Sequence, residues 1–177
     1  MISMELDKLT RGSVYTDTNV LYMYLRADPV HLPVIRTFLE RTIRGDLEVY
    51  AGIPVLDELF YRLLLAKIRD TAGVGKNPIN VLRNDISGAI ERFGGPIEEA
   101  VRKLISLPHL NVVGIEAYDL GNFFKNMRKF YLLPRDALHL AIMQRLRISD
   151  MASDDRDFDR VECLKRHWVM NPPEKAT

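Results

Sequence analysis

Short runs of β-forming residues alternate with longer amphipathic segments along nearly the whole chain, and this alternation restricts the fold more than any other feature. The segment Val14 to Leu25 starts as a strand and is interrupted by the turn-forming Asp17-Thr18-Asn19. A helix is expected over about 32–44 and a second strand over 47–52. Pro54 can open a helix without wasting a donor, and Val55, Leu56, Leu59, Phe60, Leu63 and Leu64 give that helix one apolar face, fading near Asp70. The Gly-, Asn- and Pro-rich stretch 71–78 reads as a loop. Ile79, Leu82, Ile86, Ile90 and Phe93 then recur at helical spacing. Gly94-Gly95-Pro96 is expected to break that helix and open another containing Val101, Leu104 and Ile105. A strand over 111–115, an amphipathic segment over 116–131, a helix from Pro134 to about Arg147, and strands near 149–153 and 167–170 complete the pattern. The expectation is an α/β fold with a mainly parallel central sheet and helices on both faces. It comprises a single domain over 1–177, with a helical insertion at about 71–108 and loose ends at 1–11 and 172–177.

A chain of 177 residues can bury roughly 70% of the surface its unfolded form exposes, so it needs no disulfide or structural metal to fold. With 47% hydrophobic and 28% charged residues it falls outside the disordered class. Its one cysteine, Cys163, cannot form an internal bridge and fits a reducing compartment. No run approaches the ~20 apolar residues of a membrane helix. The first residues, with Glu5, Asp7 and Lys8, do not resemble a signal peptide. A cytoplasmic location is therefore expected. A net charge of +1 neither demands nor excludes a polyanionic partner, so any surface for such a partner must be local.

The chemistry is expected in acids. Ligands of open parallel sheets bind beyond the carboxyl ends of the strands. Asp17 follows the strand Val14-Tyr15-Thr16, Asp136 lies in the first turn of the helix from Pro134, and Asp154, Asp155, Asp157 and Asp159 follow a strand ending near Ser153. Glu58 lies one turn into a helix among apolar neighbours. Singly, each has an ordinary explanation: a turn, a helix dipole, a basic partner or a solvated loop. Jointly, carboxylates converging on one sheet edge repel, and burying them is costly unless divalent cations hold them together. Oxygen-only ligands suit Mg²⁺ or Mn²⁺, and such ions promote in-line displacement at phosphorus. Phosphodiester hydrolysis is the chemistry this set suits.

YTDTNVLY at 15–22, LDELFYRL at 56–63, PRDALHLA at 134–141 and SDDRDF at 153–158 together resemble, in order, the four motifs of PIN domains, especially VapC-type toxin ribonucleases. The resemblance spans residues 14–170. It implies an α/β/α fold and Mg²⁺- or Mn²⁺-dependent endonuclease activity on RNA, leaving 5′-phosphate and 3′-hydroxyl ends. By motif, Asp17, Glu58, Asp136 and Asp155 correspond to the four acids that hold the metal and carry catalysis. Asp155 is chosen because the family's fourth acid stands two residues after a Ser or Thr, here Ser153. Asp157 is an accessory ligand candidate, and Asp154 takes the variable position. Thr18, Asn19 and Ser153 are expected to orient ligands or bound waters. A homodimer and a small antitoxin partner are further implications. The long helical insertion departs from compact toxin members.

Other readings fail on particular residues. A Walker loop around Gly73-Val74-Gly75-Lys76 would need Gly at Asp70 and Ser or Thr at Asn77. An EF-hand at Asp155 would need Gly at Arg160 and Glu at Arg166. A haloacid-dehalogenase-type phosphatase would need Asp where Asn19 stands, and His31, His109, His139 and His167 lack metal-ligand spacing. His139 is expected to pack structurally, and Phe123-Phe124 and Tyr22/Tyr24 to be core rather than base-stacking platforms. Arg135 and Arg156, beside Asp136 and Asp155, are the chosen RNA-backbone contacts, ahead of Lys125, Arg128 and Lys129. Two alternatives to a ribonuclease remain open: a non-catalytic partner-binding module of the same fold, and a nuclease acting on structured DNA.

Overall fold

The computed structural model describes residues 4–71 and 75–169. Its strands are β1 (Met4–Glu5), β2 (Gly12–Thr16), β3 (Leu47–Gly52), β4 (Leu110–Val113), β5 (Asp150–Ala152) and β6 (Lys165–Trp168). They form one sheet in the order β1-β6-β5-β2-β3-β4, and every pair is parallel. The sheet is thus wholly parallel rather than mainly so. Parallel sheets need cover on both faces, and Val14, Tyr15, Val49, Ala51, Met151 and Ala152 are fully buried.

The helices are α1 (Thr18–Leu25), α2 (Leu32–Ile43), α3 (Ile53–Thr71), α4 (Pro78–Asn84), α5 (Ile86–Ile105), α6 (Asp119–Phe130) and α7 (Pro134–Leu146). From β2 the chain steps through β3 to β4 in one direction, then returns to β5 and on to β6 in the other. Right-handed crossovers place α1 to α5 on one face and α6 and α7 on the opposite one. The packing agrees: α1 touches α2 and α3, α3 touches α4 and α5, and α6 lies against α7. Two adjacent strands whose connections leave in opposite directions open a crevice at their carboxyl ends. Here those strands are β2 and β5.

Several boundaries differ from expectation. The lead-in is ordered from residue 4: β1 pairs with β6, and Leu6, in a single 3₁₀ turn over Leu6–Lys8, is 1% exposed. A two-residue edge strand leaves too short a pattern to read. The turn at Asp17 starts α1 directly, with the Asp17 carboxylate accepting from the Thr18 amide. Gly94-Gly95-Pro96 does not break the helix, because all three lie inside α5. Proline in a helix costs about 3 kcal/mol, but burying Ile97, Val101 and Leu104 beyond it stabilises by roughly 1.5–3 kcal/mol each, so packing wins. The break falls at Asp85 instead, whose carboxylate accepts from the Gly88 amide and caps α5. The segment expected as an insertion is α4 and α5, and its buried face joins the main core through Leu82, Ala89 and Val101. The strand over 110–113 ends two residues early, and the 172–177 tail lies outside the described residues. Among the described residues no helix is long and apolar enough to cross a membrane.

On the other face, Asp119, fully buried, accepts from Arg145 Nε at 2.9 Å, and Asn126 and Gln144 exchange side-chain hydrogen bonds. These contacts join α6 to α7. They fix the helix that carries Asp136 against the one that carries Phe123.

Candidate metal centre

The crevice between β2 and β5 is built by pairing. Thr16 stands opposite Ala152, and the Asp17 amide donates to the Ala152 carbonyl at 2.9 Å, carrying the strand geometry one residue further. Asp17 and the Ser153–Asp157 turn therefore leave the sheet side by side. β3 ends at Gly52, where a Cβ would run into the Tyr15 hydroxyl. Glycine lets β3 approach β2 closely and pass straight into α3, whose second turn carries Glu58. Pro134 opens α7, and Asp136 follows in its first turn.

Asp17, Glu58, Asp136, Asp155 and Asp157 all line one cleft of about 720 Å³, with Asn19, Arg135 and His139. The hydroxyl of Ser153, itself fully buried, donates to Asp17 Oδ2 at 2.6 Å. Ser153 Oγ also accepts from the Asp155 amide at 3.0 Å, so one side chain sets two acids relative to each other. The Thr18 amide donates to Asp17 Oδ1 at 2.7 Å, and the Thr18 hydroxyl reaches Glu58 Oε2 at 3.4 Å. Asp155 Oδ1 in turn accepts from the Asp157 amide at 2.8 Å. Arg135 pairs with Glu58 at 2.9 Å, and Arg62 reaches Glu58 at 3.8 Å. Arg156 is exposed on a 3₁₀ turn and is not part of the cleft wall.

The electrostatics are those of crowded, partly dehydrated acids. Burial raises the Asp17 carboxyl above its ordinary value, and Glu58 and Asp155 add to this, while the Ser153 and Thr18 bonds oppose it. Asp136 is pushed up to about 6, first by burial and then by Asp155, Asp17, Asp157 and Glu58. Acids that perturb one another in a cleft make it a candidate functional site. As the side chains stand, no three Asp, Glu, His or Cys groups among the described residues close on one ion. Glu58 is turned toward Arg135. The donors around the cleft nevertheless fit a hard divalent cation: they are all carboxylate oxygens, converge from four elements, and repel in its absence.

Three neighbours lack a distinctive sequence signal. Asp154, at the variable motif position, is raised first by burial and then by Asp17, and it accepts a hydrogen bond from Asn19. Arg62 donates to Asn19 and lies 4.5 Å over the Tyr22 ring. His139 is 1% exposed, its Nδ1 lies 2.9 Å from the Tyr15 hydroxyl, and burial lowers it to about 4, so the ring is neutral. Periodicity places such residues on a face but not beside partners 43 to 135 positions away. Phe123 packs against the core as expected and also lines the cleft, whereas Phe124, expected to be core, is 53% exposed.

A family model described as the PIN domain matches residues 14–163. The comparison with curated proteins finds no match. Among solved structures, the chain is similar to VapBC2 from Rickettsia felis bound to a promoter DNA fragment, with 13% identity and a TM-score of 0.56, covering 89% of this chain and 98% of that one. It is similar to a toxin–antitoxin complex from Klebsiella pneumoniae, with 13% identity and a TM-score of 0.56, covering 89% and 99%. It is also similar to VapC20 of Mycobacterium tuberculosis, a sarcin–ricin-loop-cleaving toxin, with 15% identity and a TM-score of 0.53, covering 90% and 99%. At such identities the likeness establishes a shared fold.

Proposed function

This chain belongs to the PIN-domain family, and from that premise we propose that it is a metal-dependent endoribonuclease, the toxin of a toxin–antitoxin pair. The observation that carries the reading is the arrival of Asp17, Glu58, Asp136 and Asp155, from four separate elements, in one cleft at the crevice between β2 and β5. Mg²⁺ or Mn²⁺ held by these acids, with Asp157 alongside, would supply positive charge to phosphate oxygens and make a water ionise readily enough to serve as the nucleophile at phosphorus. Ser153 and Thr18 orient Asp17, and Ser153 orients Asp155 through its backbone. Arg135, half-exposed beside Glu58, offers its guanidinium to an RNA phosphate entering the cleft. Arg156 lies further out, where it can meet flanking backbone.

The same reading gives the chain a small antitoxin partner, a second copy of itself and a cytoplasmic place of action. The toxin–antitoxin complex among the similar structures supports the first of these. The test is side-by-side cleavage of RNA and DNA oligonucleotides by purified protein with Mn²⁺, using the wild type and Asp17→Asn. RNA cleavage by the wild type and none by the folded variant is expected. Undiminished cleavage by Asp17→Asn refutes the assignment. Preference for DNA identifies a DNA nuclease, and the absence of both turnover and Mn²⁺-dependent stabilisation identifies a binding module.

A further inference from the structure

Beside its carboxylates, the cleft has an apolar lining that ion binding does not require: Pro54 from α3, Phe123 from α6, and Leu133, Pro134 and Leu138 at the start of α7. Leu133 is 66% exposed, and its neighbour Tyr131 is 80% exposed. Leu133 therefore adds little to the core, yet it keeps apolar surface in water next to a strongly acidic site. Phe123 is half-buried and packs edge-on against Phe124 at 5.0 Å between ring centres. A cleft of about 720 Å³ is large enough for a nucleotide.

The polar groups around this lining are already engaged. Asn19 spends its amide on Asp154 and its oxygen on Arg62, and Arg135, beside Glu58, is the group assigned above to the phosphate rather than to a base. Asp157 pairs with Arg160 at 2.8 Å, His139 Nδ1 is taken by Tyr15, and His139 Nε2, though without a partner, is buried away from an entering base. Few donors or acceptors are left to read a base edge, whereas every base presents a face to an aromatic or aliphatic wall.

We propose that Phe123, Leu133 and Leu138 form a nucleobase subsite, in which one unpaired base flanking the scissile phosphate is held by stacking and burial rather than by hydrogen bonds to its edge. The inference rests on the ribonuclease reading above. It makes these three residues determinants of a preference for an unpaired nucleotide beside the cut, with the presence of a base mattering more than its identity.

The test uses synthetic single-stranded ribo-oligonucleotides with Mn²⁺. After the cut in a mixed-sequence strand is mapped, each flanking nucleotide is replaced in turn by an abasic ribonucleotide and by each of the other bases. Removing one flanking base is expected to lower kcat/KM about five- to hundredfold, and exchanging it for another base to change kcat/KM less than about threefold. The abasic penalty should shrink in Leu133→Ala, which removes an exposed side chain, and in Phe123→Ala, with Tm recorded to confirm folding. Equal cleavage of abasic strands, a penalty undiminished in both variants, or base exchange as costly as base removal would each overturn the subsite while leaving the nuclease intact. If the wild type makes no Mn²⁺-dependent cut in any RNA, the nuclease reading fails and the subsite falls with it.

Discussion

Replacing Asp136 by Asn should make the metal-free protein more stable while removing its activity. The Asp136 carboxyl is pushed up to about 6 from an ordinary value of 3.8, chiefly by burial and then by four neighbouring acids. One pH unit is worth about 1.4 kcal/mol, so ionising a fully buried group so perturbed would cost about 3 kcal/mol. Asp136 is only half-buried, and solvent screening reduces this to about 1–2 kcal/mol. The sign follows from proton binding. The folded state holds this proton more tightly than the unfolded state, so the associated stability is complete below about pH 3.8 and is lost as pH rises through 6. Asparagine keeps the neutral form at every pH. In EDTA at pH 8 the variant should melt about 2–8 °C above the wild type, since each kcal/mol moves Tm by about 2–4 °C at this chain length. By pH 4.5 the advantage should shrink to about half to two-thirds of its pH 8 value. Added Mn²⁺ should raise the wild-type Tm more than the variant's, reversing or narrowing the order. Circular-dichroism melts at the two pH values decide the matter. A variant no more stable at pH 8, or one whose gain is the same at both pH values, refutes the claim that crowded carboxylates strain this site.

Ser153→Ala removes the donor that holds Asp17 and the acceptor for the Asp155 amide. Urea unfolding at pH 8 should show a loss of about 1.5–3 kcal/mol, and the acid limb of the kcat/KM profile should move to higher pH, because that bond favours the ionised Asp17. An unmoved limb would mean that Ser153 does not tune Asp17. Arg145→Met leaves the fully buried Asp119 without its partner and should cost about 3–5 kcal/mol by the same measurement; a loss under 1 kcal/mol would show that the pair does not hold α6 to α7. Gly52→Ala sets a methyl group against the Tyr15 hydroxyl and should cost about 1–3 kcal/mol. A neutral result would show that β2 and β3 have room to separate.

Much of the architecture is legible from local pattern. The strand at 47–52, the helix over 32–44 and the helix opened by Pro134 emerge close to their expected bounds, because apolar periodicity and proline at a helix start act within a few residues. Errors fall where distant packing overrides local preference. Gly94-Gly95-Pro96 is a breaker in isolation but runs on as helix because Ile97 and Val101 are buried beyond it. Residues 4–8 look loose until β6 is available to pair with β1.

The identities and order of the acids, their all-oxygen character and their places beside strand ends follow from the chain alone, since residue type and local period are properties of short segments. Their meeting does not. Asp17 and Asp155 are neighbours because β2 and β5 pair and their connections leave in opposite directions, and Glu58 and Asp136 join them from helices that cover opposite faces. Which acid is dehydrated, which is engaged by Arg135, and which aromatic side chain lines the cleft depend on contacts between residues as many as 136 positions apart. Such contacts exist only once the sheet has closed around its core, because burial and mutual repulsion act through space rather than along the chain.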